Sequence, residues 1–169
     1  MLLFEVIYVL DPPPPAIFLC ASLIPIFQGT PAPNGSDRIK FGHHCVLGSK
    51  CTVTPATVVT PDGTSTHAPP TIGSFVHIGC SARISALAIG SHVLIGDNAI
   101  LGNRVDVKSC VVVTSGSVVS PDVTLPSHTV WHGRPAACVS TLHPSFEMLV
   151  CQEMKWAFEA AMHSADFSP

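Results

Sequence analysis

The stretch IGSHVLIGDNAILGNRVDVKSCVVV, residues 89–113, places an aliphatic side chain at every sixth position. A helix repeats every 3.6 residues or so and a single strand about every 2, so a period of six indicates a chain that coils through short strands and corners. The same spacing continues in both directions, with one interval shortened to five residues between Ile84 and Ile89. The apolar positions are Ile72, Ile78, Ile84, Ile89, Ile95, Leu101, Val107, Val113, Val119, Leu125 and Trp131.

A second restricted position lies two residues before most of these large apolar residues. It is small or β-branched, and its members are Val76, Ala82, Val93, Ala99, Val105, Val111, Ser117, Val123 and Thr129. One large and one small inward side chain per hexad would fill the narrow interior of a triangular coil, while the residues between them face water. The sequence therefore predicts an all-β solenoid, a parallel β-helix built of hexapeptide repeats.

Composition limits the classes of partner. The 169 residues suffice for one domain with a continuous core, and only 11% of them are charged. The net charge of -3 supplies no basic stripe for a phosphate backbone or an anionic membrane surface. We therefore expect no nucleic acid partner.

The seven cysteines include no C-x-x-C pair of the kind that zinc and redox motifs use. Cys45 and Cys51 are six residues apart and are predicted to stack on one face as small core residues. This cysteine usage is typical of a reducing cytosol.

Residues 1–37 differ from the rest of the chain. They contain no Lys or Arg and carry four consecutive prolines from Pro12 to Pro15, so we interpret them as an atypical Pro-rich apolar arm without fixed structure. A secretory signal or membrane segment is the alternative. Glu5 and Pro25 interrupt the two apolar pieces, which are too short to span a bilayer, so no membrane insertion is expected.

The β-helix is predicted to cover residues 38–138, with Phe41, Leu47, Val53 and Val59 keeping the spacing at its start. Residues 60–70 have turn composition and no period, which predicts a corner loop. After the repeat ends, residues 143–163 carry apolar side chains at helical spacing. We expect this amphipathic C-terminal α-helix to pack along one wall of the β-helix, rather than to bind a partner.

The units IGSFVH, IGSHVL, IGDNAI and LGNRVD resemble the hexapeptide repeats of the left-handed parallel β-helix superfamily, and TVWHGRPAA resembles the segment that closes such domains. The left hand is implied by this resemblance. The general rule for crossovers between parallel strands would have predicted a right hand.

Within that superfamily, residues 39–160 are similar to the dynactin subunit 5 family. The resemblance rests on FGHHCVLGSKCTVTP (41–55), the shortened repeat within 72–110, VSPDVTLPSHTVWHGRP (119–135) and a helix near PSFEML (144–149). It implies a non-catalytic scaffold subunit of the dynactin pointed-end complex, cytoplasmic and associated with the cytoskeleton, that supports recruitment of dynein cargo adaptors and endomembranes. The implied partners are dynactin subunit 6, dynactin subunit 4 and the pointed-end actin-related protein. The family also has further coils before Phe41, which residues 1–37 carry no hexads to supply.

Four residues are candidates for protein binding. Arg83, Arg104 and Lys108 fall at outward or corner positions where they could meet acidic adaptor motifs, and His67 lies on the corner loop. A solvated charge is the alternative interpretation for each of the three cations. No catalytic residue, metal or cofactor is predicted.

Hexapeptide folds also include acyltransferases and γ-class carbonic anhydrases, so an enzyme remains the alternative. The anhydrase pattern places zinc-binding histidines where this chain has Cys80 and Ser85, and His77 and His92 each stand alone in the sequence.

An acyltransferase would need a histidine as general base. His67 is the best-placed candidate, followed by His43 and His44, but no carboxylate is spaced to orient any of them. Ala137 also occupies a position where transferases often carry Lys.

The repeated glycines are interpreted as structural. No phosphate-binding G-x-x-x-x-G-K-[ST] motif is present. We expect glycine at the corners because its backbone tolerates the turn.

Overall fold

The computed structural model describes residues 17–19, 26–27, 39–59, 63 and 65–164, with side chains described for 39–59, 63 and 65–156. Short strands follow one another at the spacing that the hexads predict, and one helix follows them. The elements are β1 (Ile17–Leu19), β2 (Ile26–Phe27), β3 (Lys40–Phe41), β4 (Cys45–Leu47), β5 (Thr52–Val53), β6 (Ala56–Val59), β7 (Ser65–Ala68), β8 (Thr71–Ile72), β9 (His77–Ile78), β10 (Arg83–Ile84), β11 (Ala88–Ile89), β12 (Leu94–Ile95), β13 (Ile100–Leu101), β14 (Asp106–Val107), β15 (Val111–Val113), β16 (Val118–Val119), β17 (Thr124–Leu125), β18 (Thr129–Gly133), β19 (Ala136–Thr141) and α1 (Phe146–Ser164).

Successive strands are distributed over three walls, each a stacked sheet. The first wall has the order β1-β4-β9-β12-β15-β18-β19, the second β16-β13-β10-β5-β2 and the third β17-β14-β11-β8-β3. Strands within a wall pair in parallel, except that β19 pairs antiparallel with β18 at the end of the first wall. The predicted parallel β-helix is confirmed.

The interior contains the two inward positions of each hexad. The large residues from Leu47 to Leu125 and the small ones from Cys45 to Val111 are almost all fully buried. Cys45 and Cys51 are buried as predicted, but they do not share a face. Residues six apart lie on neighbouring walls, and the coil-to-coil register pairs residues 18 apart, as Ile95 with Val113.

Each corner contains one residue in the left-handed backbone region, three positions before the next large inward residue. These residues have φ between +54° and +71° and are His44, Lys50, Phe75, Ser81, His92, Asn98, Arg104, Cys110, Gly116, Asp122 and His128. The shortened interval between Ile84 and Ile89 has no such residue. The missing residue of the period is therefore the left-handed corner residue.

The repeated glycines lie two positions before these corners, and none of them has a left-handed φ. A Cβ on Gly90 would lie 2.6 Å from the Ser109 nitrogen, and one on Gly79 would lie 2.5 Å from the Asp97 nitrogen. Our expectation that glycine serves the turn backbone was wrong. Glycine is needed because the backbone of the next coil approaches too closely for any side chain.

Between the second and third walls the chain leaves the coil as a hairpin, in which β6 and β7 pair antiparallel. The excursion starts at Ala56, before the predicted loop at 60–70. Val59, predicted as an inward hexad residue, is 58% exposed because β6 pairs with β7 and not with a wall. The Asn103 side chain, at the corner that follows β13 two coils further along the wall, holds the hairpin against the coil. Its Oδ1 accepts from the Thr57 amide at 2.8 Å, and its Nδ2 donates to the Thr57 carbonyl at 3.0 Å.

We expect Asn103→Ala to loosen the hairpin and to cost about 2 kcal/mol in the free energy of unfolding, because two hydrogen bonds to partly buried backbone groups are lost. Asn103→Asp is the graded control, since it keeps the acceptor for the Thr57 amide and removes the donor. Hydrogen exchange at the Thr57 amide should accelerate in Asn103→Ala and much less in Asn103→Asp. Equal exchange in the wild type and both variants would contradict this assignment.

Part of the predicted N-terminal arm is strand. β1 pairs in parallel with β4 and β2 pairs in parallel with β5, so both add to the open end of the coil. Leu19 is the register partner of Leu47 and Phe27 that of Val53. The period of six does not predict these two strands, because Leu19 and Phe27 are eight residues apart. The remainder of the predicted arm lies outside the described residues.

Helix α1 lies against β1 and β4 of the first wall, as predicted, with Val150 and Met154 buried beneath it. It begins at Phe146, three residues after the predicted start at residue 143. No helix in the described part of the chain has the length and apolar character needed to cross a membrane.

Candidate functional site

The corner before the first wall stacks rings from successive coils. The ring centroids of His44 and Phe75 are 5.0 Å apart with parallel planes, and those of Phe75 and His92 are 5.1 Å apart. Cys110 takes the same corner position in the following coil and is almost fully buried. Because the corner residues share one left-handed conformation, their side chains form a ladder along the edge of the coil, which we call the corner ladder.

Helix α1 meets the corner ladder at His92. The Nε2 atom of His92 lies 3.1 Å from the Cys151 sulfur, and its Nδ1 atom lies 3.7 Å from a carboxylate oxygen of Glu147. Residues 147 and 151 are one helical turn apart, so both side chains point to the same imidazole. Burial raises the pKa of the nearby Cys110 thiol, and the charges of Glu147 and Cys151 add to that effect.

His92 stands alone in the sequence but not in the fold, where it contacts Cys151 and Glu147. Sequence spacing does not predict the contact between His92 and Cys151, because the two residues are 59 positions apart. The one usable signal was the spacing of Glu147 and Cys151 on the predicted helix.

The four predicted protein-binding residues do not form one site. Arg83 is exposed on β10 in the second wall, and His67 is exposed on β7 of the hairpin. Arg104 is at a corner, where its Nε donates to Asp122 Oδ1 at 2.6 Å, and the Lys108 ammonium lies 2.5 Å from Asp106. His67 and Arg104 are linked through the hairpin, because Asn103, the neighbour of Arg104 in the chain, bonds Thr57, the register partner of His67.

The ion pair between Arg104 and Asp122 is expected to affect how the Asp122 carboxyl titrates. The hydrogen bond from Arg104 holds the pKa of the Asp122 carboxyl below its usual value. The pair therefore stabilises the fold above the ordinary titration range of Asp, and this contribution disappears as the pH falls through the lowered pKa. The energy is small because both groups are largely exposed.

In a carboxyl-carbon NMR titration, Arg104→Gln should return the pKa of Asp122 to its usual value. Lys108→Gln is the matched control and should leave Asp122 unchanged, because Lys108 pairs with Asp106. A pKa of Asp122 that does not respond to Arg104→Gln would refute the pair.

The candidate catalytic histidines occupy separate places. His43 and His67 are exposed, while His44 is stacked in the corner ladder. His77 lies on the outward side of β9 in the first wall, where burial lowers its pKa and the charge of Asp97 partly opposes that shift. His92 pairs with the Glu147 carboxylate.

The two positions that match zinc ligands in anhydrases have other partners. The Cys80 amide donates to Asp97 Oδ1 at 2.7 Å, and the Ser85 hydroxyl lies 2.7 Å from that of Thr54. In the described ranges no three His, Cys, Asp or Glu side chains converge as a metal site.

The outer face of α1 exposes two large apolar side chains among polar ones. Leu149 is 61% exposed and Trp156 is 68% exposed, and they line a shallow depression together with Gln152, Glu153 and Lys155. Large apolar side chains grouped on a surface often mark a contact with another molecule.

Three solved structures are similar to this chain to different degrees. A hexapeptide transferase family protein from Anaplasma phagocytophilum is 17% identical, with a TM-score of 0.56 over 86% of this chain and 95% of that one. A maltose O-acetyltransferase from Clostridium difficile 630 is 17% identical over 63% of this chain and 67% of that one, with a TM-score of 0.42. A hexapeptide-repeat acetyltransferase from Vibrio cholerae, solved with acetyl coenzyme A, is 25% identical over 61% and 65%, with a TM-score of 0.40. No curated protein matches the chain.

The walls, corners and repeat, together with the first of these structures, define a hexapeptide-repeat protein with the left-handed parallel β-helix fold. The sequence matches the family Dynactin subunit 5 over residues 33–160, about three quarters of the chain. The chain belongs to that family.

Proposed function

We propose that this chain is a non-catalytic scaffold subunit of the dynactin pointed-end complex, cytoplasmic and associated with the cytoskeleton. The main support is the family match over residues 33–160, which spans β3 to β19 and most of α1. Its proposed partners are dynactin subunit 6, dynactin subunit 4 and the pointed-end actin-related protein. In this position it would support recruitment of dynein cargo adaptors and endomembranes.

The physical properties of the coil suit a scaffold. Nearly every rung of each wall is hydrogen-bonded to the rungs above and below it, for example Gly79 to Ile95 and Gly96 to Val113, both at 2.8 Å. Such a ladder is stiff and binds without rearrangement, so little ordering entropy is lost on association. Recognition then depends on the side chains that project from its faces.

We propose that the outer face of α1 is the main contact surface. Leu149 and Trp156 are two helical turns apart on one side of α1, where a partner can bury them without displacing Val150 and Met154 from the wall. Arg83 is the strongest of the charged candidates, because it is exposed and takes part in none of the ion pairs found within the described residues. Arg104, Lys108 and His67 are secondary candidates.

The test is affinity purification of the tagged full chain from its own cells, with mass spectrometry of the proteins recovered. We expect the actin-related protein and the other pointed-end subunits. The double variant Leu149→Asp with Trp156→Asp should reduce their recovery at least tenfold, since it places charge in an apolar contact. Val139→Asp is the matched control, because Val139 is an exposed apolar residue on β19 and not on α1.

The alternative is a hexapeptide acyltransferase. Recovery of the chain alone, as a homotrimer that consumes an acyl thioester, would overturn the scaffold proposal. His67→Ala and His44→Ala would then be the first substitutions to assay for loss of turnover. The side chain of His67 is exposed and has no carboxylate partner among the described ion pairs, so it lacks the group that would orient a general base.

A further inference from the structure

The junction between α1 and the corner ladder holds a cysteine, a histidine and a carboxylate in line. His92 lies between the Cys151 sulfur at 3.1 Å and the Glu147 carboxylate at 3.7 Å, each on a different ring nitrogen. The His92 side chain is 12% exposed, so its position is fixed by packing against Phe75 and the helix. Cys151 is half-buried.

This order of groups favours proton transfer from the thiol. When Nδ1 carries its proton toward Glu147, the Nε2 lone pair faces the Cys151 sulfur and can accept the S–H proton. The carboxylate then stabilises the imidazolium that forms. A thiolate beside a protonated histidine is the nucleophilic form of cysteine.

We propose that Cys151 is an oxidation site that reacts with hydrogen peroxide, with His92 as the catalytic base and Glu147 as the residue that positions it. The inference is independent of the proposed scaffold function.

The reaction is a two-electron oxidation of the sulfur. His92 Nε2 takes the thiol proton, and the Cys151 thiolate attacks one oxygen of hydrogen peroxide. The S–O bond forms as the O–O bond breaks, and the departing hydroxide takes a proton from the imidazolium and leaves as water. The product is Cys151 sulfenic acid, which thiols reduce again.

The other described cysteines provide the contrast within the same molecule. Cys80 and Cys138 are more exposed than Cys151, but neither has a histidine among its hydrogen-bond partners in the described part of the chain. Cys80 receives a hydrogen bond from the Ser49 hydroxyl, and Cys138 donates to the Ser140 carbonyl. Burial raises the pKa of Cys45, of Cys110 and, to about 11, of Cys51. If exposure alone set the reactivity, Cys80 and Cys138 would be oxidised first.

The experiment treats the reduced full chain with hydrogen peroxide in the presence of dimedone and measures the label at each cysteine by peptide mass spectrometry. We expect Cys151 to be labelled at least tenfold faster than Cys80 and Cys138. His92→Gln should slow labelling of Cys151 at least tenfold, and Glu147→Gln by about threefold. Cys151→Ser confirms the assignment of the labelled peptide.

Cys110 reports whether a variant has merely displaced the helix. It is 3% exposed at the same junction, so displacement of α1 would expose it and give it label. The proposal requires that Glu147→Gln slows the labelling of Cys151 while Cys110 stays unlabelled. The proposal would be overturned if Cys151 were labelled no faster than Cys80 and Cys138. It would also be overturned if His92→Gln left the rate at Cys151 unchanged while Cys110 stayed unlabelled. If His92→Gln does expose Cys110, the labelling rate of Cys151 in Glu147→Gln tests the proposal instead, because Glu147 is largely exposed and its substitution should not displace the helix.

Discussion

Gly90→Ala is expected to lower the free energy of unfolding by about 3 kcal/mol. The added Cβ would lie 2.6 Å from the Ser109 nitrogen and 2.7 Å from the Lys108 carbonyl carbon. Both are backbone atoms of the next coil, so no side chain can move aside and the two coils must separate locally. That separation also weakens the hydrogen bond from the Gly90 amide to the Val107 carbonyl, now 2.8 Å. For a chain of this size, thermal denaturation should show a decrease in Tm of about 9 °C.

Gly116→Ala is the control that separates close approach from backbone conformation. Gly116 has a φ of +71°, but a Cβ there would meet only the end of the Arg134 side chain at 3.3 Å. Its substitution should cost about 1 kcal/mol, the strain of a left-handed L-residue. The same conformation is held by ten residues other than glycine at equivalent corners, so the coil tolerates it. A larger effect at Gly116 than at Gly90 would refute the assignment.

The interior of the β-helix follows from the sequence because one simple constraint produces it. Each hexad must place one large and one small side chain inward, and Val93 with Ile95 or Val105 with Val107 do so without regard to distant residues. The hexad spacing gives the wrong burial where a strand pairs with a neighbour outside the walls. Val59 keeps the period of six, yet the antiparallel hairpin removes it from the wall, and only the non-local bond between Asn103 and Thr57 shows where that hairpin is held.

The site depends on where α1 packs along the first wall, and the sequence contains little information on that position. The helical period of residues 146–156 predicts that Val150 and Met154 face the wall. It does not predict how far along the wall the helix lies, and a shift of one coil would bring Glu147 and Cys151 to Phe75 or Cys110 instead of His92. The triad of His92, Cys151 and Glu147 is therefore a property of the folded chain.

Ile95→Ala should lower the free energy of unfolding by about 4 kcal/mol, within the range measured for removing a large buried aliphatic side chain. Ile95 is fully buried on β12. Ile100, five residues later, begins β13 and points outward with 37% of its surface exposed. Ile100→Ala removes the same atoms and should cost less than about 1 kcal/mol, as expected for a partly exposed site. Chemical denaturation of both variants measures the difference.

The loss of free energy of unfolding expected for Ile95→Ala is near the upper end of the measured range because the geometry of the coil limits relaxation. The cost of a cavity depends on how far neighbouring atoms can move into it. Within its wall, Ile95 stacks between Ile78 of the preceding coil and Val113 of the following one. Both are fixed by their own backbone ladders, so neither can shift along the axis without breaking hydrogen bonds to a third coil. The cavity should therefore remain open, and equal losses for Ile95→Ala and Ile100→Ala would mean that the hexad register is not the one described.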